Sequence, residues 1–434
     1  MAPTAVARIT GRTGSRRLLT TASLALLLAA CGSTTSSGGS GSTNIKTNSA
    51  GHVGYGVLSC FTGTLASLGQ AMLQGSQVAQ KVINDAGGVL GKQLDLTHAD
   101  TQCDEADAVP AVRKLLATDN VTGIIGPETQ EIAAVSPIVS AAKVPTEFQG
   151  GSTDFDKNSN KYLWRDSPSD SQLGVAMAVY GQKKGFKKAA LIFYSDIAAQ
   201  TFAKPITATW QKLGNTIVSN VTVAPDQTSY RTQVQSIIDS KPDVIFTQTD
   251  AATAAVIFQN FKELNNLAIP IVGTDITGGD DYLKAITYPV AHDHLISVYG
   301  TNATGAAADN FAKAFAAQNG ASAQPLANAN YGYDAVISLA LAMDKAGTTD
   351  GPAVINAMKQ VTNPPGSACD TYADCLRGIK ASTKIKVDGA SGDLVYNDFN
   401  NVFGPYGAFQ ADAGTGAEAQ LQLLSASDLA AATP

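Results

Sequence analysis

The sequence predicts an α/β fold built as two lobes of similar design, each around a parallel sheet. Three observations carry this. From residue 53 onward, β-rich apolar runs alternate with segments of helical period. The alternation runs through twice, in two series of about 190 residues each, the ordinary size of a domain. Of the 434 residues, 44% are hydrophobic and 15% charged, so the chain has apolar material for more than one core.

In the first series, Val53 to Leu58 reads as a strand. Ala71, Gly75, Val78, Val82, Ile83 and Ala86 then recur at helical spacing until Gly87-Gly88 stops the helix. Leu94 to Ala99 alternates as a strand, and Ala108, Val109, Val112, Leu115 and Leu116 line a helix face. Val121 to Ile125 is a third strand, Ile132 to Ala142 a helix and Val144 to Phe148 a fourth strand. The second series begins after Trp164, with Asp170 or Ser169 placed to cap a helix ending near Lys184. Strands follow at Ala189 to Tyr194, Thr216 to Val223, Val244 to Gln248, Ile269 to Gly273 and Leu295 to Tyr299. Helices are expected around Phe202 to Leu213, Thr232 to Ile238, Ala251 to Leu264, Ala307 to Gln318 and Tyr331 to Ala346. Two lobes of this kind face each other across a cleft, with binding loops at the carboxyl ends of their strands.

The first fifty residues read as an address. Arg8, Arg12, Arg16 and Arg17 precede the apolar run Leu18 to Ala30, which is too short to span a bilayer and suits an export signal, 1–30. The run ends in Leu28-Ala29-Ala30-Cys31-Gly32, which resembles a bacterial lipobox and places a lipid on Cys31. Ser15-Arg16-Arg17-Leu18-Leu19 also resembles a weak twin-arginine signal. Residues 32 to 50 contain 14 Ser, Gly or Thr in 19 and read as a flexible tether, 31–50. The expected location is extracytoplasmic, anchored to the cell membrane through Cys31.

The net charge of -6 becomes -10 once the four signal arginines are removed, which argues against nucleic acid as a partner. No Gly-x-Ser-x-Gly elbow, Walker loop or His-Glu-x-x-His motif is present. Of His52, His98, His292 and His294, the last two sit in a loop-like stretch without further ligands at a metal-binding spacing, so neither a metal nor a cofactor is expected. Gly87-Gly88 and Gly278-Gly279 read as turns. Four cysteines besides Cys31 form an even set in an exported chain. Cys369 and Cys375 bracket a short closable loop, while Cys60 and Cys103 each follow a strand in neighbouring units, so two disulfides are expected.

Several stretches together resemble the type I periplasmic binding proteins, in the leucine/isoleucine/valine-binding branch of ABC-importer solute receptors. They are Leu65 to Gln70, Ile83 to Lys92, Ala111 to Leu115, Ile124 to Pro127, Ala141 to Pro145, Arg165 to Gln172, Lys241 to Ile245 and Tyr331 to Val336. The resemblance implies two Rossmann-like lobes joined by a three-crossover hinge, with lobe 1 at 51–168 and 301–383 and lobe 2 at 169–300 and 384–434. It implies a monomeric, non-enzymatic receptor that binds an amino acid or related carboxylate between the lobes and passes it to an ABC permease. A sensor of the same fold is the alternative, and an exported hydrolase using Ser152 lacks a base to accompany it.

Carried over by motif, the ligand-binding positions are Cys60, Phe61, Thr62 and Leu68; Thr129 and Gln130 in the loop Glu128-Thr129-Gln130; and Gly150, Gly151 and Ser152. On the second lobe they are Ile197, Ala198, Ala199, Thr249, Asp250 and Asp275. By the resemblance, Asp275 pairs with the ligand's ammonium group. Tyrosines of the family pattern are replaced by Leu68, Ala198 and Thr249, which predicts a pocket of different shape.

Overall fold

The structure is a computed structural model that describes residues 45–434 except 64, 65, 196, 226, 302 and 327. The expected signal, Cys31 and most of the tether lie outside the described residues. The first sheet has five parallel strands: β1 (Val53–Ser59), β2 (Leu94–Asp100), β3 (Gly123–Ile125), β4 (Thr146–Phe148) and β5 (Leu163–Arg165), in the order β2-β1-β3-β4-β5. Its crossovers are α1 (Ala66–Asp85), α2 (Glu105–Ala117) and α3 (Ile132–Ala142). Strand β1 is buried along its whole length, as a central parallel strand covered on both faces must be. Asp104 caps α2 by accepting from the backbone N–H of Ala106.

After β5 the chain crosses to a second sheet through Asp166 to Ser169. Ser169 is the residue that caps α4 (Asp170–Lys183), accepting from the N–H of Ser171. Then follow β6 (Lys188–Tyr194), α5 (Ile197–Lys212), β7 (Thr216–Val223), α6 (Arg231–Asp239), β8 (Val244–Gln248), α7 (Ala251–Glu263) and β9 (Ile271–Gly273). Two short helices, α8 (Asp280–Ile286) and α9 (Tyr288–His294), lead into β10 (Leu295–Gly300). His292 and His294 thus belong to a helix and not to a loop. A proline in the first turn of α9 starts it, and His292 Nδ1 lies 2.9 Å from the Ala411 carbonyl oxygen.

The chain then returns to the first lobe as α10 (Ala306–Asn319), α11 (Ala329–Ala346), α12 (Gly351–Thr362), β11 (Ser367–Cys369), α13 (Tyr372–Lys380) and β12 (Ile385–Val387), the two strands forming a small separate sheet. It finally rejoins the second sheet as β13 (Tyr406–Ala411) and β14 (Glu418–Leu424) and ends in α14 (Ala426–Ala432). The second sheet therefore has seven strands in the order β14-β13-β10-β9-β8-β6-β7. Its last two are antiparallel to their neighbours, which departs from the all-parallel expectation.

The boundary expected at residue 384 needs moving. Ile385, Val387, Ala390, Leu394, Tyr396 and Val402 pack in one core with Val53, Tyr55 and the α11 residues Val336 and Leu339. Asp334 of α11 fastens this segment, accepting from the N–H groups of Ala390 and Ser391 at 2.8 and 2.7 Å. The third crossover accordingly falls just before Tyr406. The disulfides Cys60–Cys103 and Cys369–Cys375 both form, with Cα separations of 4.9 and 5.3 Å.

Candidate functional site

A cavity of about 270 Å³ lies where the carboxyl edges of the two sheets meet. Leu68 enters from the first turns of α1, Glu128 from the loop after β3, Gln149 and Gly151 from the loop after β4, and Ser167 to Asp170 from the crossover after β5. The second sheet contributes Asp275 after β9, and Tyr299 and Gly300 at the end of β10. Tyr406 at the start of β13 also lines it, because the antiparallel register sets it opposite Gly300. Leu173 and the start of α11, Asn328 and Tyr331, complete the wall. Such a crevice outside the strand ends is where α/β sheets bind ligands.

Two glycines make the loops possible. Gly126 has φ +102°, and a Cβ there would lie 1.9 Å from the Leu58 carbonyl oxygen, so only glycine lets the loop carrying Glu128 turn against β1. A Cβ on Gly151 would lie 2.1 Å from Asp170 Oδ1, so its absence gives that carboxylate its place. The Gly151 N–H donates to Thr129 Oγ1 at 2.8 Å, tying the β3 and β4 loops together.

The wall carries three carboxylates, Glu128, Asp170 and Asp275, and no Lys, Arg or His among the described residues. Burial and the neighbouring Glu131 push the Glu128 carboxyl up to about 7, although Ser59 donates to it at 3.3 Å. Asp170 is raised by desolvation and by Asp275, against the pull of Arg165. Asp275 is open to solvent in the cleft, yet the surrounding protein displaces enough water to raise its carboxyl as well. Arg165, almost wholly buried, turns its charge elsewhere: its guanidinium donates to Asp156 at 2.5 Å, to the Ser152 carbonyl at 2.9 Å and to Asn401 at 2.9 Å. Behind the cavity, Asp166 is buried with both carboxylate oxygens unpartnered among the described residues, and its carboxyl is held well above the usual range by that burial. The chemistry such a wall favours is the capture of positive charge.

Of the positions carried over from the sequence, Leu68, Gly151 and Asp275 line the cavity. The others whose side chains are described stand outside its lining. Cys60 is fully buried in its disulfide, and the backbone N–H groups of Phe61 and Thr62 donate to Asp100. Thr129 holds Gly151, Gln130 is exposed, and Gly150 packs on the Thr129 backbone. Ser152 caps a short 3-10 turn, Thr153–Phe155. Ile197, Ala198 and Ala199 form the first turn of α5, Thr249 is buried, and Asp250 caps α7 through the Thr253 N–H. Sequence reasoning missed Tyr299, Tyr331, Tyr406 and Asn328. It read Ser169 and Asp170 only as helix-capping residues.

The comparisons agree with this architecture. The model of the periplasmic binding protein family matches residues 53–373. The Leu/Ile/Val-binding protein BraC3 of Rhizobium johnstonii is 27% identical over 316 residues, covering 70% of this chain and 82% of the relative. Among solved structures, the branched-chain amino acid substrate binding protein LivJ of Streptococcus pneumoniae, in complex with isoleucine, matches with a TM-score of 0.62 at 20% identity, over 86% of this chain and 99% of that one. A solute binding protein of an ABC transporter from R. palustris, in complex with benzoate, matches with a TM-score of 0.60 at 19% identity, over 88% and 97%. The two sheets, the crevice between their carboxyl edges and the match from Val53 onward lead to one conclusion: this chain belongs to the periplasmic binding protein family.

Proposed function

We propose that the protein is a membrane-tethered receptor that captures a small solute bearing an amino group, an amino acid or close relative, and delivers it to an ABC permease. The observation that carries this reading is the wall of Glu128, Asp170 and Asp275 with no cation beside them. A desolvated carboxylate is costly until an opposite charge meets it. The first turns of α1, α4 and α11 also line the cavity, and their N-terminal ends favour the carboxylate of the same ligand. A benzoate-type anion without an ammonium meets three like charges here.

A thermal-shift screen with amino acids, amines and aromatic acids tests the reading. A ligand present at 100 times its Kd adds about 2.7 kcal/mol of stability. Stabilisation by amino acids or amines is expected; stabilisation by aromatic acids alone defeats the ammonium assignment. For the anchor, Cys31→Ser is expected to release the protein from the membrane fraction, since no described helix is long and apolar enough to cross a membrane. Retention through a high-salt wash defeats the lipid assignment.

A further inference from the structure

We propose that the ligand is net-cationic and carries two separate amino-type cations, one held by Asp170 and Asp275 and the other by Glu128. This rests on the receptor reading above and narrows it from amino compounds in general to basic amino acids and diamines.

The argument begins with charge. A neutral α-amino acid brings one ammonium and one carboxylate, so it enters this cavity with no net charge and leaves three wall carboxylates as a group uncompensated. Arg165 makes up the difference only in part: its charge pulls on Asp170, while its hydrogen bonds go to Asp156, Ser152 and Asn401. The carboxylates also divide into two poles. The Asp275 charge raises the Asp170 carboxyl across the cavity wall they share. Glu128 stands in the first lobe's β3 loop, where the charge raising its carboxyl is Glu131 of the same loop.

A second observation marks the Glu128 pole as a built site. Glu128 is 7% exposed although it lines the cavity. Its Oε1 accepts from Ser59 at 3.3 Å, which fixes the carboxylate against the end of β1. Beside it on the wall, Gln149 Nε2 is buried and also without a partner. A cavity-lining carboxylate and a buried donor left open beside it are satisfied together by a ligand that offers both functions. Lysine and ornithine do so with a terminal ammonium and an α-carboxylate; a diamine engages only the acidic poles.

Calorimetry on the purified protein with L-lysine, L-ornithine, putrescine, L-norleucine and L-leucine decides the matter. Norleucine is lysine without its terminal amine, so the ratio of the two affinities reads the second cation directly. Lysine or ornithine is expected to bind at least ~100-fold more tightly than norleucine, the scale of a desolvated charge pair. That ratio is expected to fall at least ~10-fold in Glu128→Gln. Putrescine binding as tightly as lysine assigns the site to diamines, and weaker putrescine binding assigns it to basic amino acids. Asp170→Asn serves as a second variant if Glu128→Gln does not fold. Leucine or norleucine binding as tightly as lysine overturns the two-cation proposal and leaves the amino-acid receptor standing. Failure of all five compounds to bind overturns both.

Discussion

The two faces of the cleft are built on the same principle and finished differently. On the first-lobe face the strand-end loops are tied down: Cys60–Cys103 joins the ends of β1 and β2, Thr129 holds Gly151, and Glu147 accepts from Ser338 Oγ and, at 2.7 Å, from the Tyr396 hydroxyl. On the second-lobe face the corresponding strand ends keep open polar groups. Gln248 Oε1, Thr249 Oγ1 and Thr274 Oγ1 are buried without partners among the described residues, and Asp275 opens directly onto the cavity. Buried polar atoms left unpaired each cost free energy. The difference teaches that the first-lobe loops are tied to one another before anything binds, while both faces hold hydrogen-bonding capacity in reserve, through Gln149 and Asp166 on the first and Gln248, Thr249 and Thr274 on the second.

The largest test of this contrast falls on the tied face. Replacing both Cys60 and Cys103 with Ser is expected to lower unfolding stability by about 4 kcal/mol, because that bridge closes a long loop. Urea unfolding of the unliganded protein measures it. An unchanged midpoint means the β1 and β2 loops are held by their other contacts. The next effect belongs to the open face, where Asp275→Asn is expected to weaken ligand binding by roughly 30-fold, about 2 kcal/mol, with the unliganded Tm nearly unchanged. Unaltered affinity with a lowered Tm makes Asp275 a structural residue and removes the contrast at its sharpest point.

The smallest effect per residue is one of pH. Glu128 is raised to about 7, Glu147 to about 8 and Asp334 to about 6, in each case mainly by burial. Between the ordinary carboxylate range and these values the folded state keeps protons that the unfolded chain has released, so stability falls as pH rises through that window. The unliganded protein is expected to melt higher at pH 5 than at pH 8, by on the order of 1 kcal/mol of stability per group. Affinity for a cationic ligand has the opposite slope, since Glu128 attracts it only when ionised. Glu128→Gln should flatten the binding profile near pH 7; an unchanged profile places the titrating group elsewhere.

Strands β1, β6 and β8 were legible because burial on both faces leaves a run of consecutive apolar residues within each, such as Ala189 to Tyr194 and Val244 to Phe246. β5 has three residues, too few for a pattern, and it was missed. β14 carries a visible alternation from Glu418 to Leu423, a signal of a half-exposed strand that was present and unread. At the site, the positions expected after strand ends included Gly151 and Asp275. Tyr331 and Tyr406 escaped because the start of α11 and an antiparallel strand bring them in from far along the chain, which no local period records.

The late return of the chain to both lobes also has a meaning during synthesis. The first core needs Val53 and Val402 together, and strand β10 finds its neighbour β13 only once residues 406–411 exist. A chain still growing from the ribosome therefore holds a complete first sheet over an unfinished core and an incomplete second sheet, and its contacts of highest sequence separation close last. Both lobes reach their final packing only once residues 402–411 have been made, so neither matures as an independent early domain.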